Sequence, residues 1–144
     1  MALTADFASS LNNRRRLAGA QRDASLSQNA YSRFLSQQRG SRSLVDLDRG
    51  MTRGLQGLGA GYAQRGLGQS GIREQGTSDY ATNWMNQKDT ITQGIAGTMR
   101  QADLGDSAAN AQYDSTDADL EAEKNAAIQS TAAQLSSFMP FLGA

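Results

Sequence analysis

From Ile72 to Phe138, apolar or small residues recur every three or four positions with hardly an interruption. This spacing places them along one side of an α-helix. Strand signals are weak, because the chain has one valine and no alternating β-branched run. At ~1.5 Å per residue the segment would span on the order of 100 Å if unbroken, which is typical of coiled coils and bundles. We expect its weakest point at Leu104-Gly105-Asp106, and its end before Pro140.

The first half carries two shorter helical patterns. The pattern over residues 4–38 starts at an N-cap, Thr4, and stops at Gly40. Its apolar and small positions are Leu3, Phe7, Leu11, Leu17, Ala20, Ala24, Tyr31, and Phe34 or Leu35. The second pattern follows Ser41 or Ser43 and has the clearest apolar stripe of this half, namely Leu44, Leu47, Met51, Leu55, Leu58 and Tyr62.

Glycines interrupt the second pattern at positions 50, 54, 57 and 61, which share one side of a helix. Missing side chains along one side let another backbone approach closely, as small residues do in packed helix pairs. The alternative is a frayed helix end, since each helical glycine costs about 0.5–1 kcal/mol relative to alanine.

Gly66, Gly68 and Gly71 form a G-x-G-x-x-G motif in AQRGLGQSGIREQG. A dinucleotide-binding loop needs a strand before this motif, and a phosphate-binding P-loop needs Lys and Ser/Thr after it; neither is found here. We interpret the motif as a helix bend instead. Gly66 and Gly68 take positive φ and end one helix, Ser70 caps the next, and Leu67 and Ile72 pack across the bend.

The net charge of zero conceals a division between the two halves. Through Arg73 there are 11 arginines and four aspartates, and from Glu74 onward three basic residues face ten acidic ones. An antiparallel hairpin would place these opposite charges face to face, within one chain or between adjacent copies. The cluster Arg14, Arg15 and Arg16 is either a solvated helix face or a set of candidate phosphate contacts.

Catalytic and metal chemistry finds little support in the residue types. The chain has no cysteine and no histidine, so it lacks the commonest general base and the commonest metal ligands. The acidic run at 114–123 lacks the glycine and the ligand register of a calcium loop. Trp84 reads as a packing anchor. We therefore expect no enzyme activity, no cofactor, no metal and no small-molecule substrate.

Large apolar residues are scarce, because hydrophobic residues make up 38% of the chain and about 22 of them are alanine. A chain with so little apolar surface usually completes its burial in copies of itself or in a partner. We expect the side chains that pack in such an assembly to be Leu44, Leu47, Met51, Leu55, Leu58, Tyr80, Trp84, Ile91, Ile95, Phe138 and Phe141. The apolar tail FMPFLGA is predicted to insert into a neighbouring copy. We do not expect a membrane contact, and the tail is the segment through which one would occur.

The stretch from Arg65-Gly66-Leu67 to Gln69-Ser70-Gly71-Ile72, between helices rich in Ala, Gln and Arg, resembles small helical virion proteins of tailed bacteriophages. These are minor tail, connector or internal ejected proteins, which often carry such a stretch at a helix junction. The resemblance covers about ten residues and brings no catalytic residue with it. It implies a structural subunit, present in many copies in the virion, that contacts other virion proteins and passing DNA.

The sequence thus predicts an all-α, elongated, coiled-coil-like hairpin of long helices that assembles into a ring or tube. Its parts are a basic helical limb (1–62), a glycine-rich bend (63–71), a long acidic limb (72–139) and an apolar tail (140–144). The expected function is a homo-oligomeric structural subunit of a phage tail, neck or DNA-delivery apparatus. Two alternatives stay open: a nucleic-acid-binding protein that uses the basic half, and a secreted helical export or filament subunit.

Overall fold

The protein forms two long α-helices, α1 (Ala5–Gln64) and α2 (Gly71–Phe138). This computed structural model describes residues 5–138, with side chains described as far as residue 136. Within that range every residue outside 65–70 is helical and none lies in a strand. The prediction of an all-α fold is confirmed. The tail residue Phe141 and the side chain of Phe138 lie outside the described part.

Neither helix breaks at the glycines where an interruption was expected. The predicted stop at Gly40 is wrong, because α1 continues through it, and α2 likewise continues through Gly105. Both glycines accommodate close neighbours: a Cβ at Gly40 would overlap the Ile95 side chain, and one at Gly105 would lie 2.7 Å from Nδ2 of Asn29. The packing gain offsets the modest helix penalty of glycine.

The chain divides into two compact units. The terminal unit combines Met1–Asn29 with Asp103–Ala144, and within its described part the start of α1 packs antiparallel to the second half of α2. The bend unit is Ala30–Ala102, in which the rest of α1, the turn at 65–70 and the first part of α2 form a helical hairpin.

The turn of the bend unit ends α1 with a Schellman motif. The amide of Leu67 donates to the carbonyl of Tyr62 at 2.9 Å, and the amide of Gly66 donates to Ala63 at 3.1 Å. Gly66 has a φ of +72°, the left-handed conformation that this motif requires and that glycine adopts without strain. Among the described residues it is the one glycine with positive φ, so the expectation for Gly68 is wrong.

Ser70 begins α2 as its N-cap. Its carbonyl accepts from the amide of Arg73 at 2.9 Å, and its hydroxyl accepts from the same amide at 3.4 Å. The hydroxyl also donates to the carbonyl of Leu67 at 3.0 Å, which ties the cap to the end of α1. The predicted packing of Leu67 against Ile72 is wrong, because Ile72 is 60% exposed.

Three glycines of the bend unit receive large side chains from the opposite helix. The ring of Tyr80 occupies the space above Gly54, and its hydroxyl donates to the carbonyl of Gly50 at 3.1 Å. Tyr62 occupies the space above Gly76 in the reverse direction, and Ile95 lies against Gly40. These contacts fix the register of the two helices, because a shift of either helix would bring a Cβ to a position that only hydrogen can occupy.

The predicted role of the glycine stripe is only partly right. Nothing lies within 4 Å of a Cβ built at Gly50, Gly57 or Gly61, so these positions do not receive a neighbouring backbone. Gly54 does accommodate a neighbour, but that neighbour is the tyrosine ring. Close approach in this unit therefore occurs at single notches that fit side chains rather than along a continuous groove.

Shielded positions along both helices recur every eleven residues. One series on α1, buried or half-buried throughout, is Phe7, Ala18, Asn29, Gly40, Met51 and Tyr62. A matching series on α2 is Tyr80, Ile91, Ala102 and Tyr113, and another is Thr98, Ala109, Leu120 and Thr131. Eleven residues make three turns of about 3.67 residues, close to the 3.6 of an ordinary helix. The pairing stripe therefore stays on one side of each helix without the underwinding that a seven-residue repeat requires.

We expect opposite effects from the same substitution at two glycines of α1. Gly40→Ala should lower the free energy of unfolding, because the displaced Ile95 outweighs the gain in helix propensity of up to about 1 kcal/mol. The new methyl group of Gly57→Ala meets no neighbour within 4 Å, so this substitution should raise the free energy of unfolding by about 0.5–1 kcal/mol. Chemical denaturation followed by circular dichroism measures both; stabilisation by Gly40→Ala would contradict the notch.

Candidate functional site

The terminal unit is joined by charged side chains. Arg15 bridges two acids of α2: its Nε donates to Oδ1 of Asp117 at 2.5 Å, and its Nη2 donates to Oε1 of Glu121 at 2.6 Å. Arg14 pairs with Glu123 at 2.6 Å one residue earlier on α1. These contacts place the basic start of the chain against its acidic second half, so the opposite charges meet within one chain. We call this set of pairs the charged seam.

Polar residues continue the pairing stripe beyond the charged seam. The guanidinium of Arg22 lies over the ring of Tyr113, 4.5 Å from its centroid, and Gly19 leaves room beside that ring. Nδ2 of Asn29 donates to Oδ1 of Asp106 at 2.8 Å. Positions that would hold leucine in an ordinary helix pair are thus occupied by groups that need specific partners.

The pKa values of Glu121 and Arg15 in the seam are shifted in the directions expected for pairing. Hydrogen bonds from Arg15, and then from Lys124, hold the pKa of Glu121 below its ordinary value. The same bonds, to Glu121 first and to Asp117 second, raise the pKa of Arg15. Arg22 also has a raised pKa, chiefly through its hydrogen bond to Asp23. All these groups stay charged at neutral pH.

The charged seam is partly open to solvent, since the side chains of Arg15, Asp117 and Glu121 are between 38% and 41% exposed. Solvent-accessible ion pairs add little to stability. Their geometry is nonetheless selective, because one guanidinium meets two carboxylates spaced four residues apart on α2. We infer that the seam sets alignment and partner choice more than it adds stability.

The sequence analysis misplaced the inner face of α1. Beyond Leu11 the predicted stripe followed Leu17, Tyr31, and Phe34 or Leu35. Leu17, Tyr31 and Phe34 are 61%, 61% and 56% exposed, whereas Leu35 is half-buried. The inner positions belong instead to Arg15, Arg22, Leu26, Asn29 and Arg33. An available signal was missed: the clear stripe at 44–62, extended backward in steps of eleven residues, reaches Arg22, Asn29 and Arg33 of this face.

The residues assigned to assembly contacts pack mainly inside the bend unit. Each is half-buried between its two helices, and they are Leu44, Leu47, Met51, Leu55, Leu58, Tyr80, Trp84, Ile91 and Ile95. Their contribution to contacts between copies stays a prediction. Arg14 and Arg15, assigned as candidate phosphate contacts, have carboxylate partners in the same chain, whereas Arg16 is exposed.

Trp84 anchors a small groove of about 220 Å³ in the bend unit. The groove lies between the two helices, with Leu47, Met51 and Tyr80 among its walls. Lys88 Nζ stands 4.7 Å from the Trp84 ring, and the buried indole Nε1 has no hydrogen-bond partner in the structure. Asp46, Asn83 and Gln87 line the rest of the groove. The half-buried position of Trp84 beside Leu47 and Met51 suits the predicted packing role.

Comparison with protein-family models, curated proteins and solved structures gave no match. Across the described residues, no helix combines the length and hydropathy needed to cross a membrane. Nor does that part of the chain group three or more Asp and Glu side chains in a manner suited to a metal ion. The functional argument therefore rests on the two helices and their surfaces.

The lowered pKa of Glu121 gives the charged seam a defined pH dependence. A carboxylate with a lowered folded-state pKa contributes stability above its unfolded value, and the contribution is lost as pH falls through the folded value. We expect the melting temperature to decrease between about pH 5 and pH 3, and Arg15→Gln to flatten that decrease. Arg16→Gln, one residue away and exposed, is the matched control. If the melting temperature falls equally with pH in the two variants, the bridge from Arg15 to Asp117 and Glu121 would be excluded.

Proposed function

We propose that this protein is a structural subunit of a tailed-bacteriophage virion, in the tail, neck or internal DNA-delivery apparatus. It acts as a coiled-coil-like pair of helices that assembles with other copies into a ring or tube and contacts other virion proteins. The helix junction at Arg65–Ile72 supports the phage assignment through its resemblance to small virion proteins. A structural role needs a rigid, repeatable surface and no reactive centre.

The small number of buried apolar side chains is the observation that supports the assembly part of the proposal. Among described residues only two apolar side chains are buried, Ala102 and Leu120, at 5% and 3% exposure. Nine large apolar side chains of the same part of the chain stay exposed, namely Leu17, Tyr31, Phe34, Val45, Ile72, Met85, Leu104, Ile128 and Leu135. A monomer with this balance gains little from the hydrophobic effect. Contacts between copies would supply the missing burial.

Assembly should make stability depend on protein concentration. If copies complete each other's burial, raising the concentration from about 1 to about 100 µM should raise the melting temperature by on the order of a few degrees. Native mass spectrometry should show one dominant multiple of the 15.3 kDa chain. A monomeric mass together with a concentration-independent transition would contradict the proposal.

An exposed arginine stripe favours nucleic-acid binding as the second candidate function. Arg39, Arg42, Arg49 and Arg53 follow one another at helical spacing along α1 of the bend unit and are exposed. The nearest acid of Arg49 is Asp46, at a loose 3.8 Å on the surface. Guanidinium groups in such a row can each contact one phosphate of a nucleic-acid backbone. This differs from the prediction that Arg14, Arg15 and Arg16 would provide the phosphate contacts.

The salt dependence of DNA binding tests this second function. If the stripe binds phosphates, the affinity for a random-sequence duplex should fall steeply with salt, and each of Arg42→Gln, Arg49→Gln and Arg53→Gln should reduce the log–log slope by about one. Arg14→Gln, whose side chain already pairs with Glu123, should leave the slope unchanged. Fluorescence anisotropy across a salt series measures this affinity. Failure of the wild-type chain to bind the duplex at low salt would exclude this function.

A further inference from the structure

The last turns of α2 extend beyond the start of α1. Phe7, Ala8 and Leu11 share a groove with Leu120 and Lys124, which sets the register at this end of the terminal unit. From there α1 is described for only two more residues, to Ala5, while α2 continues from Lys124 to Phe138. The difference is about 12 residues, or roughly 18 Å of helix. We call residues 125–138 the α2 overhang.

The pairing stripe of α2 continues onto the overhang and loses its cover there. Leu120, opposite the start of α1, is 3% exposed, whereas Ile128 and Leu135 on the same side of the helix are 44% and 55% exposed. Ala127 and Thr131, on the same side of the helix, are half-buried. The face that binds α1 along the terminal unit therefore continues for three further turns as an apolar surface.

The overhang also differs from the rest of the chain in charge. Lys124 is the last charged residue, and positions 125–144 contain none. The next longest uncharged stretch is the 11 residues between Arg53 and Arg65, inside the bend unit. A long exposed helix without charge is unusual for a surface in contact with water. An occupant of this surface must present an uncharged face to it, because a charge buried there would find no partner.

We propose that the α2 overhang packs on the overhang of a second copy of this chain. The occupant must present an apolar, uncharged helix face about 12 residues long, and among the described residues the overhang combines this length with an absence of charge. The contact continues the α1–α2 interface into the next copy. This inference rests on the homo-oligomeric role proposed above and names the surface that produces it.

Thr131 lies at the centre of the contact. The midpoint of residues 125–138 falls between Thr131 and Ala132, so packing of one overhang on another brings Thr131 near its counterpart whether the two helices run parallel or antiparallel. Small neighbours on this side, Ala127 among them, allow close approach of the two backbones. Ala133, by contrast, projects from the opposite side of the same turn and is exposed.

Single cysteines test the contact directly, because the chain has none of its own. A disulfide between two copies requires Cα atoms within about 7 Å. Under mild oxidation Thr131→Cys should form a linked dimer at least about tenfold faster than Ala133→Cys, which has the same position along the helix but the wrong side. Equal rates, or no linked dimer from Thr131→Cys, would overturn the proposal.

A charge placed on the surface gives an independent readout. Leu135→Glu should raise the dissociation constant of the assembly by at least about tenfold while helix content is retained, and Gln129→Glu on the far side should not. If the wild-type chain is oligomeric and Leu135→Glu changes nothing, the overhang contact fails while the structural role stands. A wild-type chain that is monomeric at all concentrations would contradict both the overhang contact and the homo-oligomeric structural role.

A lipid surface is the other occupant that an uncharged amphipathic helix could take. Sedimentation with phosphatidylcholine vesicles distinguishes it. Binding of the wild-type chain that Leu135→Glu abolishes, together with no linked dimer from Thr131→Cys, would overturn the contact between copies in favour of a membrane. Absence of vesicle binding together with rapid cross-linking at position 131 would support the contact between two copies.

Discussion

The contact between α1 and α2 has to be made without a leucine-rich interior, and the rest of the structure depends on how that is done. In the bend unit, aromatic and branched side chains fill single glycine notches, with Tyr80 on Gly54, Tyr62 on Gly76 and Ile95 on Gly40. In the terminal unit, arginine and carboxylate partners occupy the inner face. Both solutions define a single alignment, because a notch and an ion pair each tolerate little displacement.

Alignment and stability are separate properties in such a chain. A leucine stripe contributes much burial energy and accepts neighbouring registers, since one leucine can replace another along the seam. Glycine notches and the bridge from Arg15 to Asp117 and Glu121 have the opposite balance: they select one register and leave much apolar surface uncovered. A subunit that depends on its neighbours for burial benefits from this balance, because its folded form is defined before the assembly stabilises it.

The sequence predicted the helices and the bend because those depend on local signals. The spacing of apolar residues specified α2, and Gly66 with Ser70 specified the turn, through the backbone conformation of one and the capping oxygen of the other. The inner face of α1 depends instead on partners far along the chain. Arg15 looks like a solvent-exposed residue until Asp117 and Glu121 are placed beside it, and Gly40 looks like a helix stop until Ile95 occupies the space above it. Such positions cannot be assigned from one segment alone.

The eleven-residue spacing explains why the apolar pattern did not indicate the inner face of α1 in the terminal unit, where polar pairs occupy many of the inner positions. A helix pair with this period must place something at every inner position, and along the terminal unit that something is Arg22 over Tyr113 or Asn29 on Asp106. Leu17 of that region lies on the outside, where it is 61% exposed. Exposed leucine and paired arginine are thus two consequences of one arrangement. The same period reaches Thr131 near the end of α2, past the described start of α1. The face that α1 covers along the terminal unit continues there, and the proposed contact with a second copy would cover it.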